Sequence, residues 1–258
     1  MKTPHLTAEA GDFAPVAVMP GDPMRSRYIA ENYLTDARLI CDVRGVQAYT
    51  GYYFGTRVSV LASGMGMPSM GIYAYELFDV FGVDYIIRAG SAGAYSDGLK
   101  LRDKLIALTA ATDSNSVESF GAAMYERIPA SEHLASLARK SAIERNFTLT
   151  GGSVYTTDVF YCGSERAEEW KRRGALAVDM ETAMLYAVAR KFGKQALAVF
   201  TVSDNALTGA GLDSSERERG FNDMITLALD TAVRAVITET NTNCTPTDAP
   251  KKATKELN

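Results

Sequence analysis

"DYIIRAGSAGA", Asp84 to Ala94, decides how the chain is read. Its first residues have the character of a buried strand, yet Arg88 arrives before the strand has finished. A guanidinium taken out of water at that point is costly unless an anion meets it. Directly behind stand Gly90, Ser91 and Gly93, a glycine-rich turn at the strand's end. In open α/β sheets, ligands gather beyond the carboxyl ends of the strands, so the arginine and the turn point to one place.

Working outward, short apolar runs alternate with segments of helical period. "PVAVM" precedes a helix from Arg25 to Tyr33, and "TRVSVLAS" one from Ser69 to Phe81. "DKLIALTA", "GGSVYT", "ALAVDM" and "QALAVFTVSD" read as further strands, with helices near 132–145, 164–173 and 181–192. This rhythm predicts an α/β fold with a mostly parallel sheet. "GYYFGTRV" adds a hairpin turning at Gly55, which makes the sheet mixed. No repeat or linker interrupts 1–238, which reads as one domain. The last helix is placed at 214–238, with Phe221, Met224, Ile225, Ala228, Leu229 and Ala232 on one face. Residues 239–258, polar with two prolines, read as a disordered tail.

Composition narrows the chemistry. At 258 residues and 47% hydrophobic, the chain can bury one large core or two smaller ones. A formal net charge of -4 supplies no basic field for nucleic acid, so an anionic ligand needs a local arginine cluster. Three dispersed cysteines and two histidines fit a reducing compartment and neither a disulfide framework nor a metal site. The N-terminus lacks the apolar stretch of a signal peptide, and no segment is long and apolar enough to span a bilayer. The expectation is a cytoplasmic protein with no metal.

Four other stretches can carry chemistry. In "VMPGDPMRSR", a turn at Gly21 leads into a helix whose first turn holds Arg25, an arrangement suited to an anion and also to an ordinary strand–turn–helix junction. "ASGMGMPSMG" is a further glycine-rich loop behind a strand. Neither it nor "GSAGAY" has the spacing of a dinucleotide or P-loop fingerprint. In "ALAVDMETAML", Asp179 and Glu181 either cap a helix or accept hydrogen bonds from the vicinal hydroxyls of a sugar, with Met180 packed on its apolar face. In "AVFTVSDN", Asp204 ends a buried strand, where desolvation favours the protonated form and makes a general acid. Arg217, in "DSSERERGF", belongs either to a solvated helix face or to this acid's surroundings.

Together these stretches resemble the nucleoside phosphorylase superfamily, in its bacterial hexameric purine nucleoside phosphorylase type. The carriers are "TPH", "MPGDPMRSRYIAE", "VRGVQAYTG", "SGMGMPSMGIYAYEL", "IIRAGSAGA", "LRDK", "TDVFY", "VDMETA", "TVSDN" and "ERERGFNDMI", which follow the family's order along nearly the whole chain. The resemblance implies a three-layer α/β/α sandwich around a mixed, barrel-like central sheet. It implies phosphorolysis of purine (2'-deoxy)ribonucleosides to the free base and the pentose 1-phosphate, without a cofactor.

Residue by residue, it gives Gly21, Arg25, Arg88 and Ser91 to phosphate, with Arg44 reaching in from a neighbouring subunit. On that reading, phosphate is the anion for Arg88. Met65, Met180 and Glu181 fall to the ribose, Asp179 to its 2'-side, and His5, donated by the neighbour, to the 5'-hydroxyl. Phe160, Val178 and Ser203 line the base, Asp204 is the general acid and Arg217 its partner. The implied assembly is a homohexamer, a trimer of dimers. Two positions depart from the family's pattern: Asp179 replaces the usual Glu, and Asn205 a common His. The segment 116–133 matches poorly. Uridine phosphorylase shares the arginines but lacks an acid at Asp204, and methylthioadenosine nucleosidase has no use for Arg25 or Arg88. A non-catalytic protein on this fold is expected to lose Asp204 or the phosphate arginines, and this chain has both.

Overall fold

The computed structural model describes residues 2–213, 216 and 221–243. Ten strands form one sheet: β1 (Val16–Pro20), β2 (Thr35–Val43), β3 (Val46–Tyr53), β4 (Thr56–Leu61), β5 (Tyr85–Ala94), β6 (Lys104–Thr112), β7 (Ile128–Pro129), β8 (Leu149–Thr156), β9 (Ala175–Asp179) and β10 (Gln195–Asn205). Its helices are α1 (Pro23–Tyr33), α2 (Met67–Tyr75), α3 (Glu132–Glu144), α4 (Ser164–Arg172), α5 (Thr182–Phe192) and α6 (Asn222–Asn243).

β5 is the axis of the molecule. It pairs in parallel with β1 on one side and with β10 on the other, and its end adds an antiparallel pairing with β9. Because β10 also pairs β6, β6 pairs β8 and β8 pairs β9, these strands close into a five-stranded barrel. From β1 the sheet continues outward through β4, β3 and β2. Parallel pairings, including the long β5–β10 and β6–β8 ladders, are mixed with antiparallel ones, so the sheet is the mixed, barrel-like one expected.

The β3–β4 hairpin turns at Phe54 and Gly55, both with positive φ, the twist that a two-residue turn needs to match its strands. One core cluster packs α2 and α5 on one face of the sheet; a second packs α1, α3 and α6 on the other. Ile86 belongs to the first and Ile87 to the second, so the two-residue period of β5 sets Arg88 on the α2–α5 face.

Helix ends follow local chemistry. Asp22 caps α1 by accepting the Met24 N–H at 2.9 Å, with Pro23 at the first helical position. α2 ends at Tyr75 and continues as a wider π turn, Glu76–Val80. The last helix differs from the expectation of 214–238. It begins at Asn222 after a non-helical Phe221, and it runs to Asn243, into the stretch read as tail. Arg217, Gly220 and the tail from Cys244 onward lie outside the described residues. Segment 116–133 includes a 3₁₀ turn, Asn115–Phe120, and the short strand β7.

Candidate active site

The C-terminal ends of β1, β4, β5, β9 and β10 converge on a cavity of about 680 Å³. Gly21, Arg25, Met65, Arg88, Ser91, Phe160, Val178, Asp179, Met180, Glu181 and Asp204 all line it. Residues read from widely separated places in the sequence therefore share one wall, because parallel strands bring their ends to the same edge.

One side of the cavity is cationic. Arg25, on α1, is 6% exposed, and its guanidinium lies 5.1 Å from the ring centroid of Phe221. That cation–π contact ties the start of α6 to α1. Arg88 is 4% exposed, and its partners answer the question its position raises: they are carboxylates of the chain itself. Its Nε donates to Asp179 Oδ2 at 3.1 Å, and its Nη2 donates to Glu181 Oε2. Its Nη1 faces Ser63 Oγ at 3.4 Å, on the side where Gly21 keeps space open; a Cβ on Gly21 would lie 3.9 Å from that nitrogen. The ion pair offsets the desolvation cost that an isolated guanidinium would carry.

The loop after β4 shapes the next wall. Gly64 and Gly66 both have positive φ, and a Cβ on Gly64 would press to 2.6 Å from Ser69 Oγ. This turn aims the Gly66 N–H at Glu181 Oε1, 2.7 Å away. Burial pushes the Glu181 carboxyl above the usual carboxylate range; the Arg88 charge pulls it down and the Asp179 charge pushes it further up.

Asp179 is held differently. Its side chain is 0% exposed, and both oxygens accept from Thr156, Thr182 and the α5 backbone, besides Arg88. Met65 and Phe160 are 84% and 62% exposed and form an apolar rim.

Asp204 is half-buried at the end of β10, where the ladder to β5 is irregular between Val202 and Asp204. The Ser203 hydroxyl donates to Asp204 Oδ1 at 2.6 Å. Ser203 itself does not line the cavity; it is buried behind the acid. His5 and Arg44 lie elsewhere too. His5 sits in a second groove with Tyr75 and Phe120, its Nδ1 2.6 Å from Glu76 Oε1, and Arg44 is exposed in the β2–β3 turn.

The sequence reading did not single out Tyr95, Thr157, Cys162 or Ala206, which also line the cavity. Tyr95 is 1% exposed, and burial drives its hydroxyl pKa far upward, so it remains a donor. Only its place directly after "RAGSAGA" could have drawn attention to it. Among the described residues, no cluster of three or more His, Cys, Asp or Glu is arranged to hold a metal ion. Nor is any described helix long and apolar enough to cross a membrane.

The strand ends of the barrel thus gather two arginines, a glycine-rich turn and three carboxylates around one cavity, and comparison with known proteins supplies the family. Residues 15–238 match the phosphorylase superfamily, and the chain belongs to it. "Purine nucleoside phosphorylase DeoD-type 2" of Aliivibrio fischeri is 44% identical over 91% of this chain and 100% of its own length. The DeoD-type purine nucleoside phosphorylase of Myxococcus xanthus is 45% identical, over 90% of this chain and 98% of its own. In solved structures, the fold is matched by a uridine phosphorylase from Vibrio fischeri, with TM-score 0.81, 25% identity, and coverage of 90% of this chain and 98% of that one. It is matched also by a Toxoplasma gondii purine nucleoside phosphorylase in complex with immucillin-H, with TM-score 0.83, 20% identity, and coverage of 91% and 96%.

Proposed function

We propose that the protein cleaves purine ribo- and 2'-deoxyribonucleosides with inorganic phosphate, releasing the base and the pentose 1-phosphate. The observation that carries this is the meeting, in one cavity, of Arg25, Arg88 and Ser91 with Glu181 and Asp204. Relatives of 44–45% identity named as purine nucleoside phosphorylases support it.

The chemistry follows from charge. As the C1'–N9 bond breaks, positive charge develops on the sugar and negative charge on the base. Phosphate, held by Arg25, Arg88 and Ser91 beside Gly21, attacks C1' and stabilises the first. Asp204 gives its proton to N7 of the base and neutralises the second. Arg217 assists that transfer. Glu181 accepts hydrogen bonds from the ribose, Met65 and Met180 pack on it, and Phe160 and Val178 flank the base. Written this way the reaction uses phosphate as substrate and needs neither metal nor organic cofactor.

His5 and Arg44 do not line the cavity of their own subunit. In our reading each completes the site of a neighbour, to the 5'-hydroxyl and to phosphate, within a homohexamer built as a trimer of dimers. Function in the cytoplasm, where nucleosides and phosphate are at hand, accords with this chemistry.

The test is an activity screen with adenosine, inosine, guanosine, uridine and methylthioadenosine, each with and without phosphate. Cleavage of the purine nucleosides that requires phosphate and yields ribose 1-phosphate is the expected result. Equal cleavage in phosphate-free buffer would replace the phosphorylase by a hydrolase, and preference for uridine would move the protein to the pyrimidine branch.

A further inference from the structure

Within the site proposed above, we propose that Asp179 is a positioning residue: it touches no substrate, and it fixes the Arg88 guanidinium and the start of α5 so that Arg88 meets phosphate. This replaces the sequence-based assignment of Asp179 to the 2'-side of the ribose.

Both oxygens of Asp179 are already fully engaged. Oδ1 accepts the Thr156 hydroxyl at 2.8 Å and the Thr182 N–H at 3.3 Å. Oδ2 accepts the Thr182 hydroxyl at 2.6 Å, the Thr182 N–H at 3.1 Å, the Glu181 N–H at 3.2 Å and Arg88 Nε at 3.1 Å. A carboxylate offers about four lone-pair sites, and all of them here face donors of the chain. A sugar hydroxyl would have to displace one of those donors and leave it buried without a partner. With a side chain 0% exposed, Asp179 has no surface on which to receive it.

The same contacts say what Asp179 does. Thr156 ends β8 and also accepts the Ala183 N–H at 3.0 Å, so β8, β9 and α5 are locked at one point. With Nε held by Asp179 and Nη2 by Glu181, the guanidinium plane is fixed by two anchors, and Nη1 is the corner turned toward Gly21 and Ser63. That is the corner that the glycine-rich ends of β1 and β4 share.

The consequence separates two substrates. Asp179→Asn retains size but exchanges one acceptor for a donor that faces other donors, which loosens Arg88. Phosphate affinity should fall about tenfold, the order of the loss when one charge-assisted hydrogen bond of the Arg88 guanidinium is weakened. The ratio of kcat/KM for inosine over 2'-deoxyinosine should stay within about twofold, since an unmade 2'-contact cannot be lost. Thr182→Val, which removes only the hydroxyl 2.6 Å from Oδ2, should weaken phosphate in the same direction by less.

The experiment is a calorimetric titration of inorganic phosphate into wild type, Asp179→Asn and Thr182→Val, with thermal unfolding of each, followed by kinetics on the two nucleosides. Weaker phosphate with an unchanged nucleoside ratio supports the role. Unchanged phosphate affinity with a lowered Tm would reduce Asp179 to a structural cap and overturn it, as would a collapse of the ratio. Should Asp179→Asn fail to fold, the Thr182→Val titration decides, and unchanged affinity there overturns the proposal. If wild type binds phosphate but uses it on no nucleoside, the proposed function falls, while the calorimetry still decides the role of Asp179.

Discussion

Gly93 and Asp204 are partners across β5 and β10, and a Cβ on Gly93 would stand 2.8 Å from Asp204 Oδ2. No such contact is tolerated between real atoms, so the glycine is there for space. With the Ser203 hydroxyl 2.6 Å from Oδ1 on the other side, the carboxyl is clamped between a donor and a bare backbone. The acid of the proposed reaction therefore takes its position from a residue in a different strand.

Gly93→Ala should push Asp204 off that position, because Val178 Cγ1, 3.2 Å from the added methyl, blocks escape the other way. A displacement near 1 Å can cost about 10²-fold in rate. We expect kcat/KM for inosine to fall by that order with phosphate affinity nearly unchanged. Steady-state kinetics beside a phosphate titration would show it. Retained kcat would mean that Asp204 tolerates the shift.

A second prediction concerns the wall built by α4, whose Ala167 lines the cavity. The helix is held by Trp170, stacked on Tyr155 at 4.0 Å, and by Asp113, which accepts from both Tyr155, at 2.8 Å, and Arg166. Burial, above all, pushes the Tyr155 hydroxyl up to about 12; a Thr157 hydrogen bond opposes this and Asp113 adds to it. In the unfolded chain the phenol titrates near 10. Between those values the unfolded state binds fewer protons, so stability falls as pH rises from about 10 to 12, and it is whole below 10. Tyr155→Phe should remove this tyrosine's share of the slope and cost about 1 kcal/mol near neutrality. The rest of the slope belongs to Tyr53, Tyr95 and Tyr186, whose hydroxyls burial also pushes up. Denaturant unfolding of both proteins across this pH range is the check, and parallel curves would refute it.

Much of this was legible in the chain because charges in apolar runs are conspicuous. The pair around Met180 and Asp204 at the end of "AVFTVSD" stand at strand ends, where the pattern changes period. Arg88 instead lies inside β5, and Gly90, Ser91 and Gly93, expected as a turn behind it, continue that strand to Ala94. What stayed hidden is long-range. Nothing near Arg88 announces that its partners lie 91 and 93 residues away, at Asp179 and Glu181. The closure of β5 on β10 and β9 leaves no local trace, yet it brings Tyr95 and Val178 into one wall. β2 escaped the reading because its first five residues are exposed and show no alternation. The helical period around Phe221 to Val236 was sound, but Phe221 is not helical and the last helix starts at Asn222. The capping signal upstream is a real one: Asp213 Oδ1 accepts the Glu216 N–H at 2.8 Å and Glu216 Oε2 accepts the Asp213 N–H at 3.1 Å.

The third prediction tests the sharing of sites between subunits. His5 is bound to Glu76 in a groove away from the cavity, and Arg44 projects from a turn with positive φ. His5→Ala subunits and Asp204→Ala subunits should each be impaired. Mixed and reassembled, they should regain activity, because some hybrid sites then carry neither lesion. Exchange is verified by mass measurement of mixed oligomers; absence of recovery despite exchange would return His5 to its own subunit.

The last prediction isolates the proton. If Asp204 protonates N7, the leaving purine departs neutral, and that is the whole of its chemical contribution. Asparagine is nearly isosteric and still offers a hydrogen bond, but it has no proton to transfer. Asp204→Asn should therefore slow cleavage of inosine by roughly 10²–10⁴-fold, the range for lost general acid catalysis. A 7-methylated purine nucleoside already carries the positive charge that protonation would create, and its base leaves neutral unaided. For that substrate the same substitution should cost little beyond binding. In the variant the Ser203 hydroxyl still meets the amide oxygen that replaces Oδ1, so the side chain keeps its place and the comparison reads chemistry. Both substrates are run on both enzymes at saturating phosphate, and the ratios of kcat/KM are compared. Equal losses on the two would mean that Asp204 orients the base and that the proton comes from elsewhere.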